Sequence, residues 1–151
     1  MNEDGVRPAR FTASGARSRI SPAGTAVAEL AFCLPDLPDV RDFAAAQAVR
    51  SGMSQDGLAD FLVALNEVAT NAVTHGHTSA KAMLRMWTVG RILVVEIHDE
   101  GQWDPGPSPG ETPPGPHATS GMGLWVARMV SSDIKFETGA AGTFITMSFK
   151  V

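Results

Sequence analysis

Residues 57–75 read GLADFLVALNEVATNAVTH. Phe61, Leu65, Val68 and Ala72 recur at spacings of three and four, and Leu62, Ala69 and Val73 widen the stripe. That period predicts a helix with one apolar face. Ser54 is placed to cap it, Asp56 lies in its first turn, and Gly76 marks its end. Glu67 and Asn71 stand four residues apart at the border of the stripe, so their side chains are neighbours on one face. A polar pair at such a border reads in two ways. One is a solvated helix face. The other is a carboxylate that accepts a proton, beside an amide oxygen that ligates Mg²⁺, a hard cation that takes oxygen ligands.

Upstream, Val40 to Val49 is Ala-rich and helical in character, with Pro35 and Pro38 before it and Asp36 or Asp39 as caps. Ala28 to Leu34 (AELAFCL) reads as a first strand. Residues 1–24 mix Gly, Ser, Ala and Pro with Arg7, Arg10, Arg17 and Arg19. They show neither an apolar period nor the apolar core of a signal peptide, and read as a disordered tail.

Downstream, Ala80–Val89 and Arg91–Asp99 are apolar runs separated by Gly90, the pattern of a hairpin. From Gly101 to Ser120 the chain is dense in Pro and Gly and reads as a long loop. Gly121-Met122-Gly123 then opens a short apolar helix, LWVARMV. Asp133–Thr138 and Thr143–Val151 are strands joined by GAAG. The order is strand, two helices, hairpin, loop, helix, hairpin. It predicts one α+β domain over residues 25–151, a two-layer sandwich with helices on one face of a mostly antiparallel sheet.

Composition narrows the function. The chain has 151 residues, 44% hydrophobic, with a net charge of −4. It lacks the basic excess of a nucleic-acid binder. No apolar run reaches the ~18 residues of a membrane-spanning helix. The single cysteine, Cys33, excludes an intrachain disulfide and a multi-cysteine zinc site.

Three further features carry chemistry. Asp99 shares strand parity with Leu93, Val95 and Ile97. A carboxylate in line with a buried row needs a hydrogen-bond donor, and an adenine amino group is one. Gly101 beside it lets the backbone pass close to a flat ring. Gly121 and Gly123 at a helix start expose N–H groups and the positive end of the dipole, which suits phosphate. Thr143 shares parity with Ile145, Met147 and Phe149, so its hydroxyl is placed to join Asp99.

These segments in order resemble the boxes of the histidine-kinase-like (GHKL) ATPases, the superfamily of gyrase and sensor kinases. Residues 66–76, NEVATNAVTHG, resemble the N-box; Asp99-Glu100-Gly101 resembles the G1 box, and Gly121-Met122-Gly123-Leu124 the G2 box. Gly142-Thr143 resembles the closing strand motif. The likeness spans roughly residues 28–151 and implies the two-layer Bergerat sandwich. A lone small module ending its G2 region in GLWVARMV is similar to the anti-sigma-factor serine/threonine kinases (anti-sigma regulatory factors) of bacteria.

That family resemblance implies ATP and Mg²⁺ as ligands. It also implies a sigma factor and an anti-sigma-factor antagonist as partners, a homodimer, and a cytoplasmic setting without membrane or direct nucleic-acid contact. Glu67 matches the catalytic base, Asn71 the Mg²⁺ ligand, and Asp99 the adenine anchor helped by Thr143. His75, Gly101, Gly121, Met122, Gly123 and Leu124 match the nucleotide-binding positions. Two departures stand out. Trp103 stands near the place where many relatives have a second glycine, and Gln102 to Ser120 holds no Lys or Arg. A γ-phosphoryl in transfer usually draws on a cation besides Mg²⁺. The departure therefore keeps open an alternative function: a nucleotide-binding regulatory module, weak or inactive as a catalyst, that acts by docking alone.

Overall fold

The computed structural model describes residues 25–75, 81–101 and 122–151. The elements follow the predicted order: β1 (Ala28–Phe32), α1 (Leu37–Arg50), α2 (Gln55–His75), β2 (Ala82–Val89), β3 (Ile92–Asp99), α3 (Met122–Val130), β4 (Asp133–Gly139) and β5 (Gly142–Lys150). The expected tail at residues 1–24 and the Pro-rich segment after Gly101 lie outside the described residues.

The strands form a single sheet in the order β1-β2-β3-β5-β4, with every pairing antiparallel. The register shows why it folds. Leu30, Leu84, Ile97, Ile145 and Phe136 line up across all the strands on one face. The neighbouring row is Ala28, Met86, Val95, Met147 and Ile134. These rows share one core with Val40, Ala44 and Ala48 of α1, Phe61, Leu65 and Val68 of α2, and Leu124 and Ala127 of α3. Phe61 meets Phe149 edge-on, with ring centroids 5.0 Å apart. Each large apolar side chain buried this way contributes roughly 1.5–3 kcal/mol. The sheet face away from this core carries a cross-strand charge row: Arg85 Nε lies 3.0 Å from Glu29 Oε2 and its Nη1 lies 3.5 Å from Glu96 Oε1.

The junction of β1 and α1 differs from the sequence expectation. β1 ends at Phe32, and residues Leu34–Asp36 form a single 3₁₀ turn. The Cys33 backbone N–H and its thiol both donate to Asp36 Oδ2, at 3.0 and 3.2 Å. The Asp36 carboxylate therefore turns back to Cys33 and does not cap α1. Its N–H donor, then the thiol, holds the Asp36 carboxyl below the usual carboxylate range. The same hydrogen bond, then desolvation, pushes the Cys33 thiol up. α1 begins at Leu37, ahead of the expected Val40, because Pro38 fits the first turn of a helix. Ser54 meets its expectation: its Oγ accepts the Gly57 N–H at 3.0 Å at the start of α2. Gly90 has φ +60° and makes the tight β2–β3 turn. Among the described residues, no helix is long and apolar enough to cross a membrane.

Candidate functional site

The sheet brings Asp99 and Thr143 face to face. They are register partners at the end of β3 and the start of β5. Both are buried, at 3% and 2% exposure, on the helix-covered face their parity predicts. β3 thus runs through Asp99, where the apolar run Arg91–Asp99 is expected to end.

Gly101 links the pair. Its N–H donates to Asp99 Oδ1 at 2.7 Å, closing a local turn. Its carbonyl accepts the Thr143 hydroxyl at 2.9 Å. Thr143 therefore reaches Asp99 through the Gly101 backbone. Since the Thr143 hydrogen goes to Gly101, the Thr138 hydroxyl 3.3 Å away is the donor to Thr143 Oγ1.

Gly142 makes this corner possible. Its φ is +109°, and a Cβ there would collide with the Asp99 carbonyl oxygen and lie 2.8 Å from Glu100 Cα. Only glycine accommodates both the left-handed backbone and so close a crossing. The result is a ledge whose carboxylate is buried and held by the backbone N–H of Gly101.

Glu67 and Asn71 sit on α2, both partly exposed at the border of its buried stripe. Neither side chain hydrogen-bonds another described residue. Next to them, Asn66 Oδ1 accepts Arg41 Nη1 at 3.0 Å, tying α1 to α2. α2 packs along α3 and also touches β3, so the helix carrying Glu67 and Asn71 neighbours both the strand of Asp99 and the helix opened by Met122 and Gly123. Gly123 falls inside the first turn of α3, where N–H groups lack intrahelical partners. Leu124 is buried in the core and anchors that turn. Arg128 is in the last turn of α3, at the opposite end from Gly123. His75 is the last residue of α2. Gly121 lies outside the described residues.

Sequence reasoning missed Thr138 and the His98–Ala141 contact, both of which arise from pairing register and turn geometry. Gly142 stands out with Thr143 as a motif, but the close crossing that requires a glycine there was not legible.

The family model for the histidine kinase-like ATPase domain matches residues 33–149. A search of curated proteins found no match. Among solved structures, the chain is similar to the crystal structure of the RsbU and RsbW domains of Rv1364c from Mycobacterium tuberculosis, with a TM-score of 0.63 and 21% identity. The likeness covers 86% of this chain and 33% of that one, so this chain spans about a third of that protein's length. At that identity the match shows a shared fold. With the family model spanning most of the chain, this protein belongs to the histidine kinase-like ATPase domain family.

Proposed function

We propose that this chain is an ATP- and Mg²⁺-dependent serine/threonine protein kinase that acts as an anti-sigma factor. In this reading it sequesters a sigma factor and phosphorylates a serine or threonine on an anti-sigma-factor antagonist. The family match supports ATP as the nucleotide, and the RsbW domain of the structural neighbour supports the regulatory role. The observation that carries the reading is the Asp99–Gly101–Thr143 corner, a fixed and buried acceptor suited to an adenine amino group.

The remaining roles follow from chemistry. Glu67, uncommitted among the described residues, takes the proton of the attacking hydroxyl. Asn71 offers an amide oxygen to Mg²⁺, a donor type that fits the ion, with phosphate oxygens completing the shell. When bound, the ion neutralises phosphate charge. The N–H groups at the start of α3, with Gly121 and Gly123, receive phosphate oxygens. His75, Met122 and Leu124 complete the nucleotide site, and the active form is a homodimer in the cytoplasm.

Thermal unfolding with rising Mg·ATP tests the nucleotide claim. A ligand that binds the folded state raises the unfolding temperature, and Asp99→Ala should abolish the rise. An unchanged rise in Asp99→Ala would refute the adenine assignment. Labelled ATP with an antagonist then reads phosphoserine or phosphothreonine. ATP binding without transfer would favour the second reading, a docking module without turnover, which the absence of Lys and Arg from Gln102 to Ser120 motivates.

A further inference from the structure

His98 precedes Asp99 on β3 and projects from the opposite face of the sheet. Its Nε2 lies 2.8 Å from the Ala141 carbonyl oxygen. A carbonyl only accepts, so Nε2 carries the hydrogen and donates. The ring also stacks on Phe144, its register partner, with centroids 4.1 Å apart and planes 12° apart. The imidazole is thus fixed on one side by a ring and at its tip by a backbone carbonyl.

Ala141 is the second residue of the Ala140-Ala141 turn between β4 and β5. Both alanines are exposed, so their methyl groups do not anchor the turn in the core. Gly142 and Thr143 follow directly, the first crossing the Asp99 backbone and the second holding the Gly101 carbonyl. A shift of the turn would carry Gly142 and Thr143 away from Asp99.

We propose that His98 is a positioning residue for purine recognition: it grips the β4–β5 turn from the outer face while Asp99 reads the base from the inner face. The claim deepens the proposed function and rests on its adenine assignment. Strand alternation provides the division of labour, because successive residues serve opposite faces. The selectivity consequence is specific. Asp99 accepts from the amino group of adenine, whereas guanine carries a carbonyl at that ring position. Loosening the corner should therefore cost ATP more than GTP.

The test compares His98→Asn, His98→Ala and His98→Gln. A glutamine amide places an N–H donor near the Nε2 position, whereas an asparagine amide falls short of Ala141. Calorimetric binding of Mg·ATP and Mg·GTP gives the preference, and amide hydrogen exchange at Gly142 and Thr143 reads the corner without nucleotide. We expect His98→Asn and His98→Ala to weaken ATP about fivefold, the loss of one hydrogen bond, with GTP little changed. Exchange at Gly142 and Thr143 should quicken, and His98→Gln should restore both readouts. If His98→Asn unfolds at a lower temperature yet keeps the wild-type ATP-over-GTP preference, His98 is structural only and the proposal is wrong. Unchanged exchange at those amides, or a His98→Gln variant as impaired as His98→Asn, would overturn it too. Should the wild-type chain bind neither nucleotide, the parent reading fails while the exchange measurement still decides whether His98 holds the turn.

Discussion

The two halves of the candidate site are held in opposite ways. At the β3–β5 end, Asp99, Gly101, Thr143 and Thr138 form one chain of hydrogen bonds, with Gly142 packed beneath it. On α2, the Glu67 and Asn71 side chains hydrogen-bond to no described residue. The first region is built before any ligand arrives, so binding there costs little ordering. The second keeps its polar atoms for whatever comes. The difference separates fold from chemistry. Damage to the corner should weaken both stability and binding, and damage to the α2 pair should spare stability and remove catalysis.

Glu67→Ala is the largest expected effect. Under the proposed role of Glu67 as general base, its loss should slow the proposed phosphoryl transfer by about 100-fold or more. The unfolding temperature and Mg·ATP affinity should stay at wild-type values. A drop of several degrees in Tm would show that Glu67 supports the fold, and the contrast between the regions would break.

Gly142→Ala attacks the corner. The new methyl group meets the Asp99 carbonyl and the backbone stays left-handed, so the cost should be about 2–3 kcal/mol. Denaturant unfolding reads it, and Mg·ATP binding should fall with it. A variant of wild-type stability would mean that β3 and β5 do not cross as tightly as the contact implies.

The regions also differ in how far the sequence exposed them. Glu67 and Asn71 were legible because a helix repeats every 3.6 residues, and the Phe61–Leu65–Val68–Ala72 stripe fixes where each side chain stands. The burial of Asp99 and Thr143 followed from strand parity alone. That Thr143 would join Asp99 was expected as well, and the two are register partners. That the link runs through the Gly101 carbonyl was not legible, because it depends on how β3 meets β5 across a long separation in sequence. The same blindness hid Thr138 and His98, whose partners come from another strand or turn. Gly142 stands out with Thr143 as a motif, but its physical reason, the Asp99 backbone standing where a Cβ would be, needed the structure. The β1–α1 joint was misjudged for a local reason: Asp36 bonds back to Cys33, a choice that cap statistics do not distinguish from helix capping.

Thr138→Val sharpens the comparison at smaller scale. It removes the donor to Thr143 Oγ1 while keeping the shape. One hydrogen bond contributes about 1 kcal/mol, so stability should drop by that order and ATP should bind a few-fold more weakly. An unaltered Thr138→Val would confine the working corner to Asp99, Gly101, Gly142 and Thr143.

The smallest effect tests whether a change outside both regions leaves them alone. The Cys33–Asp36 turn joins β1 to α1, and its hydrogen bonds to the Asp36 carboxylate stay within the turn, reaching neither the corner nor Glu67. The Asp36 carboxyl is held below its usual range in the folded chain. The unfolded chain therefore binds more protons in that window, and stability rises with pH through it. Its contribution is present above the ordinary carboxylate range and is lost as pH falls through the depressed value. The Cys33 thiol is pushed the other way, so its contribution is present below the ordinary thiol range and fades as pH rises through the raised value. Wild type should thus exceed Asp36→Asn in Tm most clearly near neutral pH, with the gap narrowing at both extremes. The gap should be small, because the turn is partly exposed and water screens it. Mg·ATP affinity at neutral pH should be the same in both proteins. A gap that ignores pH would mean that the charge on Asp36 does not hold the turn. A loss of ATP affinity would couple this joint to the nucleotide site and erase the boundary between scaffold and corner.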